Sequence, residues 1–176
     1  YGVIMAGAQK NMGPAGLTVV IVRDDLLGFY PQDKMPVLLD WKLMADKESM
    51  YNTPPTYAIY ILGLVLEWIE NEVGGLEEMQ KRNEKKAKLL YDYLDSQSFY
   101  HPAARPDSRS MMNVTFRTGD ADLDAKFVQG SIENGMTNLK GHRLVGGMRA
   151  SIYNAMPYAG VEKLVDFMQK FAKENG

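Results

Sequence analysis

Met112-Asn113-Val114-Thr115-Phe116 places an apolar residue at every second position. That is the period of a strand with one buried face and one open face. Reading outward, residues 76–96 follow a helical period. Leu76, Met79, Ala87, Leu90 and Leu94 fall on one side, and Glu77, Lys81, Lys85 and Lys88 on the other. Downstream, Leu123, Phe127, Val128 and Ile132 mark a short helix closed by Gly135. Residues 148–153 are a second strand candidate. The last helix has Pro157 near its first turn, where a missing N–H does no harm, and a stripe of Val161, Leu164, Val165, Met168 and Phe171. Helix, strand, helix, strand, helix predicts an α/β layer with helices on one face of a sheet.

Nearer the N-terminus, residues 3–6 read as a short buried strand entered almost at the first residue. Leu17-Thr18-Val19-Val20-Ile21-Val22 reads as a strand buried on both faces or nearly so. Gly13-Pro14-Ala15-Gly16 between them is a turn by composition. Residues 24–56 show no clean period and are punctuated by Pro31, Pro36, Pro54 and Pro55. The apolar content of that stretch (Phe29, Tyr30, Leu38, Leu39, Trp41, Tyr51) favours an ordered, packed connection. Residues 57–73 are apolar on almost every side until Glu67, which predicts a mostly buried helix ended by Gly74-Gly75. A natural domain rarely opens inside a core strand, so further sequence upstream is expected. The large-domain apolar surface around residues 3–22 would then be left uncovered, giving disorder or self-association. No secretory or transit leader is read at the start, and Lys173-Glu174-Asn175-Gly176 resembles a frayed helix end.

Composition narrows the function classes. With 45% apolar residues and a formal charge of −2, the chain reads as an ordinary globular protein and lacks the basic excess of a nucleic-acid surface. The apolar run 57–66 is interrupted at Gly63, too short for the roughly 20 residues of a membrane span. Zero Cys and two His argue against a disulfide framework and a structural zinc site. The signatures GxGxxG, GxxxxGK[ST], GxSxG and HExxH are missing. Carboxylate pairs such as Asp24-Asp25 and Glu77-Glu78 read as a solvated surface.

Three clusters carry possible chemistry. Lys10 follows Val3-Ile4-Met5-Ala6-Gly7-Ala8-Gln9 and precedes Asn11-Met12-Gly13. At the mouth of a strand among small residues it is poorly placed for solvation, and burial favours the neutral, nucleophilic amine. The ordinary alternative is a lysine stem lying on the strand with its amine in water. Gly141-His142-Arg143-Leu144-Val145-Gly146-Gly147-Met148-Arg149 holds two guanidinium groups and an imidazole with no acid nearby in sequence. It suits a small dianion, or else a basic loop paired to a distant carboxylate. Asn52-Thr53-Pro54-Pro55 precedes a helix and suits phosphate binding, or simple capping.

Taken together, Ala6-Gly7-Ala8-Gln9-Lys10-Asn11-Met12-Gly13-Pro14-Ala15-Gly16, Tyr51-Asn52-Thr53-Pro54-Pro55-Thr56 and Gly141-His142-Arg143 through Arg149-Ala150-Ser151-Ile152-Tyr153-Asn154-Ala155-Met156-Pro157 resemble the phosphoserine aminotransferases. These are fold-type I transferases dependent on pyridoxal 5'-phosphate. The resemblance runs the length of the chain and covers roughly the C-terminal half of such an enzyme. It implies the C-terminal small α/β domain plus trailing strands of the large domain. The expected division is 1–56 as the trailing part of the cofactor-binding large domain, 57–75 as a linking helix and 76–176 as the small domain.

The resemblance further implies roles. Lys10 would condense with the cofactor aldehyde and then move the proton between substrate Cα and cofactor C4′. Gln9 would bond the cofactor phosphate. Asn52 and Thr53 would reach the phosphate in a neighbouring subunit, making a homodimer with shared sites. Arg149 would grip the substrate α-carboxylate, and His142 and Arg143 the phosphate or distal carboxylate. The reaction implied is 3-phosphohydroxypyruvate plus glutamate to phosphoserine plus 2-oxoglutarate, a cytoplasmic step of serine biosynthesis. The family's aspartate for the pyridine nitrogen, its ring-stacking aromatic residue and its glycine-rich phosphate cup lie upstream of the lysine, so this half alone is expected to be inactive. A non-catalytic folding or partner-binding module, or an aminotransferase with another substrate, are the competing readings.

Overall fold

The computed structural model describes residues 1–29 and 32–176, so Tyr30 and Pro31 lie outside the described residues. The chain divides into two compact units, Tyr1–Glu72 and Val73–Gly176.

In the first unit, β1 (Val3–Gly7) and β2 (Thr18–Val22) pair antiparallel, from Val3 opposite Val22 to Gly7 opposite Thr18. The strands are where the sequence puts them, but their burial differs. Val3, Ile4, Met5 and Ile21 are exposed, Ile21 by 60%. A hairpin has two faces and two open edges, and apolar composition alone does not say what covers them. Among the described residues of 24–56 are three 3-10 turns (Asp24–Leu26, Gln32–Lys34, Val37–Leu39) and α1 (Trp41–Asp46). The Leu43 N–H donates to Asp40 Oδ1 at 3.0 Å, an N-cap that starts α1. Phe29, Leu38, Leu39 and Tyr51 are exposed, so this connection is ordered but not packed as expected.

Helix α2 (Thr56–Glu67) runs on into a π-helical turn, Trp68–Val73. Ala58 is the buried residue of α2, whereas Tyr57, Ile59, Tyr60, Leu64 and Leu66 are exposed. The expectation of a mostly buried helix is therefore corrected. An all-apolar period reports what a helix prefers to bury, not what is present to bury it. Gly74 and Gly75, both at positive φ, then turn the chain.

The second unit contains α3 (Leu76–Asp95), β3 (His101–Pro102), β4 (Asn113–Arg117), α4 (Ala121–Glu133), β5 (Met148–Ser151) and α5 (Tyr158–Asn175). The sheet is antiparallel in the order β3-β4-β5. The two-residue β3 is too short to leave a period in the sequence. Val114, Phe116, Met148 and Ala150 are buried under the helices together with Leu90, Leu94, Leu139, Val161, Leu164 and Met168. Phe127 has no exposed surface and meets Tyr100, Phe116, Phe167 and Phe171 at ring-centroid distances of 5.0–5.8 Å. Such tilted and edge-on contacts suit the ring quadrupoles. The Tyr100 hydroxyl donates to the Met168 carbonyl at 3.0 Å, which satisfies a polar group that burial keeps protonated. Leu76, expected in the apolar stripe, is 72% exposed, because it opens the helix ahead of the core.

Candidate functional site

Lys10 sits on the connection between β1 and β2. The Ala8 N–H donates to the Leu17 carbonyl at 2.9 Å, continuing the ladder one step, and the Lys10 N–H donates to the Gly13 carbonyl at 3.0 Å. Lys10 itself has φ +100°, a conformation that L residues rarely adopt. Holding a side chain there costs about 1–3 kcal/mol, a kind of strain that gathers at functional sites. Ala8 is fully buried, while Gln9 and Lys10 are exposed, so the expected dry amine is not what this chain alone presents. A Cβ at Gly7 or Gly16 would meet nothing within 4 Å. Open space therefore lies at the end of β1 and in the turn ahead of β2.

Asn52 and Thr53 are exposed in the run leading to α2. The N-cap of α2 is Pro55, with no side-chain capping bond, and the Asn52 side-chain N–H donates to the Thr53 carbonyl at 3.1 Å. The capping alternative thus does not hold for either residue. The Lys10 amine is of the type that condenses with an aldehyde, and Gln9, Asn52 and Thr53 carry donors of the type that a phosphate accepts.

In the second unit, residues 141–147 form a tight turn leading into β5, whose edge is met by Leu139 and Lys140. The Gly141 N–H donates to the Gly147 carbonyl at 2.8 Å, and the Arg149 N–H to the Leu139 carbonyl at 2.8 Å. A Cβ at Gly141 would lie 2.1 Å from the Gly146 carbonyl oxygen, so this backbone approach requires glycine. His142 and Arg143 are exposed on the turn and line a cavity of about 340 Å³ with Lys140, Asp124 and Gln129. The Leu144 N–H donates to His142 Nδ1 at 3.3 Å, which leaves Nε2 as the donor of the neutral ring. The Asp124 carboxylate already accepts from the Thr118 N–H and hydroxyl, both at 2.8 Å.

Arg149 lies on β5 with its side chain on the sheet face opposite the core, where Asn113, Thr115 and Ser151 also stand. Its Nε is buried and has no hydrogen-bond partner among the described residues. A half-buried guanidinium with an unmet donor is suited to a carboxylate, which accepts two parallel N–H bonds. Neither Arg143 nor Arg149 forms an ion pair among the described residues.

Within the first unit the structure thus carries Gln9, Lys10, Asn52 and Thr53, and within the second His142, Arg143 and Arg149. Sequence reasoning missed Lys86 and Asn83 on α3. Both are buried on the helix face that reaches the segment after β5. Their one signal is a polar pair spaced three apart between Met79 and Leu90 of the apolar stripe.

The chain belongs to the class-V aminotransferase family, whose model matches residues 1–164. Phosphoserine aminotransferase of Lactiplantibacillus plantarum is 58% identical over 171 residues, which is 97% of this chain and 47% of that protein. The solved phosphoserine aminotransferase from Bacillus circulans subsp. alkalophilus superposes with a TM-score of 0.95 at 50% identity, over 100% of this chain and 48% of that one. A pyridoxal-phosphate-bound phosphoserine aminotransferase from Trichomonas vaginalis superposes at 0.90 with 42% identity, over 96% and 48%. The chain spans about half the length of the curated relatives it matches. Among the described residues no helix is long and apolar enough to cross a membrane.

Proposed function

We propose that this chain provides the C-terminal half of a phosphoserine aminotransferase, which passes the amino group of glutamate to 3-phosphohydroxypyruvate and releases phosphoserine and 2-oxoglutarate. The observation that carries the reading is the 58% identity to a protein of that name across almost the whole chain. When bound, pyridoxal 5'-phosphate supplies an aldehyde and a ring that accommodates negative charge at the carbon losing a proton. Lys10 holds that aldehyde covalently. Set free by the amino donor, the Lys10 amine would take the proton from the substrate Cα and return it at the cofactor's C4′. Gln9 donates to the cofactor phosphate. Asn52 and Thr53 donate to the phosphate in a second subunit's site, which makes the working enzyme a homodimer. Arg149 orients the substrate through its α-carboxylate, and His142 and Arg143 take the phosphate or the distal carboxylate. The product would be a precursor of serine, so the reading assigns the enzyme to serine biosynthesis, with the cytoplasm as its proposed compartment.

The isolated 176 residues act as a folding module. Favouring this is the continuous core of Val73–Gly176, which its own helices and sheet complete.

The test is a full-length enzyme carrying this sequence, assayed for glutamate-dependent transamination of 3-phosphohydroxypyruvate. Borohydride reduction in the presence of pyridoxal phosphate should leave a cofactor adduct on Lys10, lost in Lys10→Ala. An adduct elsewhere, or full activity in Lys10→Ala, overturns the reading.

A further inference from the structure

Lys86 is 3% exposed, on the face of α3 turned to the core. Its Nζ donates to backbone carbonyls of one short segment: Tyr153 at 2.8 Å, Met156 at 3.0 Å, Ile152 at 3.3 Å and Asn154 at 3.4 Å. An ammonium has three N–H bonds, so the four oxygens share it. Among the described residues no carboxylate takes part. One turn earlier on the same face, the Asn83 side-chain N–H donates to Asn154 Oδ1 at 2.8 Å. From the other side, Asn113 Oδ1 accepts from the Tyr153 hydroxyl at 3.1 Å and the Ser151 hydroxyl at 3.3 Å.

The clasped segment begins directly after β5, three residues beyond Arg149. With only four residues, β5 has little register of its own. Carbonyl oxygens repel one another unless a donor sits among them, and a buried carbonyl left unpaired is costly. Without the ammonium the segment opens and β5 frays from its Ser151 end, two residues from Arg149.

We propose that Lys86 is a positioning residue for Arg149: by gathering the carbonyls of Ile152, Tyr153, Asn154 and Met156 it fixes the exit of β5, and so the guanidinium on the open face of the sheet. This rests on the reading of Arg149 as the carboxylate grip. Burial pushes the Lys86 ammonium below the usual lysine range, and the ring of carbonyls opposes that by favouring the charged form.

The first measurement is amide hydrogen exchange on the 176-residue chain. Lys86→Met, apolar and of similar length, should exchange about 10-fold faster at Arg149 and Ile152, with Phe116 and Met168 within about twofold. Uniform acceleration across the unit, or none at Arg149 and Ile152, overturns the proposal. Should the Met variant not fold, Lys86→Gln, which keeps two donors, is measured the same way and read by the same criterion. The second measurement is steady-state kinetics of the cofactor-loaded full-length enzyme. Lys86→Met should raise KM for glutamate on the order of 10- to 100-fold, the scale of a misplaced binding group. kcat and pyridoxal phosphate occupancy should change less than about threefold, and Lys86→Arg should recover most of the KM. An unchanged KM, or equal loss of KM, kcat and occupancy, overturns it. If the wild type transaminates nothing, the functional reading fails while the exchange result stands by itself.

Discussion

Arg149 stands directly opposite Thr115 in the β4–β5 register, on the sheet face that the helices leave open. Its neighbours in the strand, Met148 and Ala150, are each 1% exposed in the core. The core thus fixes the backbone on which the guanidinium is mounted, while the side chain stays outside. Arg149→Lys should leave the midpoint of thermal unfolding of the 176-residue chain within about 2 °C, because a side chain outside the core contributes little stability. In the full-length enzyme the same change should raise KM for glutamate about 10- to 100-fold, because a single ammonium does not reproduce a forked contact. Steady-state kinetics and calorimetry decide it, and equal KM values count against the carboxylate role.

Lys10 holds a positive φ at +100° that glycine adopts freely. Lys10→Gly should therefore be more stable than Lys10→Ala by about 1 kcal/mol, the reverse of the order in ordinary strands. Both should lose the borohydride-fixed adduct. Chemical denaturation of the two variants tests the strain, and mass spectrometry after reduction tests the chemistry.

The turn carrying His142 and Arg143 is assigned to the phosphate or distal carboxylate. Arg143→Ala in the full-length enzyme should lower kcat/KM for 3-phosphohydroxypyruvate by roughly 10- to 100-fold, the worth of one charge-assisted contact. Hydroxypyruvate, lacking the phosphate, should lose less than about threefold. Equal losses on the two substrates remove the phosphate role.

Phe127 has no exposed surface and touches four other rings. Phe127→Ala should destabilise the second unit by about 3–5 kcal/mol through lost burial and the cavity left behind. Denaturant unfolding followed by near-ultraviolet circular dichroism, which reports Tyr100 packing, measures this.

Arg109 forks onto Asp95 with two bonds of 2.6 Å and lies 4.5 Å from the Tyr91 ring centroid. The Arg109 hydrogen bonds hold the Asp95 carboxyl below its usual range, against a smaller upward push from burial. A carboxyl with a depressed folded value stabilises the fold above the unfolded value of 3.8 and loses that contribution as pH falls through the lower folded one. Asp95 is half exposed, so the pair contributes only about 0.2–1 kcal/mol. Asp95→Asn should be less stable than wild type by that amount at pH 7, and the gap should close below about pH 3.8. A gap that persists into strong acid would show that packing of Arg109, not its charge, is at work.

Much of the second unit was legible in the sequence. Val114 and Phe116, and the stripe from Val161 to Phe171, are buried as their periods require. The first unit was legible in its elements and not in their burial. Ile4, Met5 and Ile21 have the composition of core strands and stand exposed, because a period names the apolar side of an element without naming its cover. The chemistry-bearing clusters were legible for a different reason. Lysine, arginine and glycine at close spacing are local, and the turns that hold them are closed by bonds between near neighbours, such as Lys10 to Gly13 and Gly141 to Gly147.

Contacts within a few residues are written into the chain's own order, and from that order alone come the strands, the helices, the glycine turns and the positions of Lys10, His142, Arg143 and Arg149. Tertiary structure alone decided that Lys86 would be buried and ringed by carbonyls nearly seventy residues away. It also decided that Arg149 would keep an unmet donor at an open sheet face. A buried charge or an unpaired donor is settled by which distant groups arrive beside it, and no spacing along the chain records their arrival.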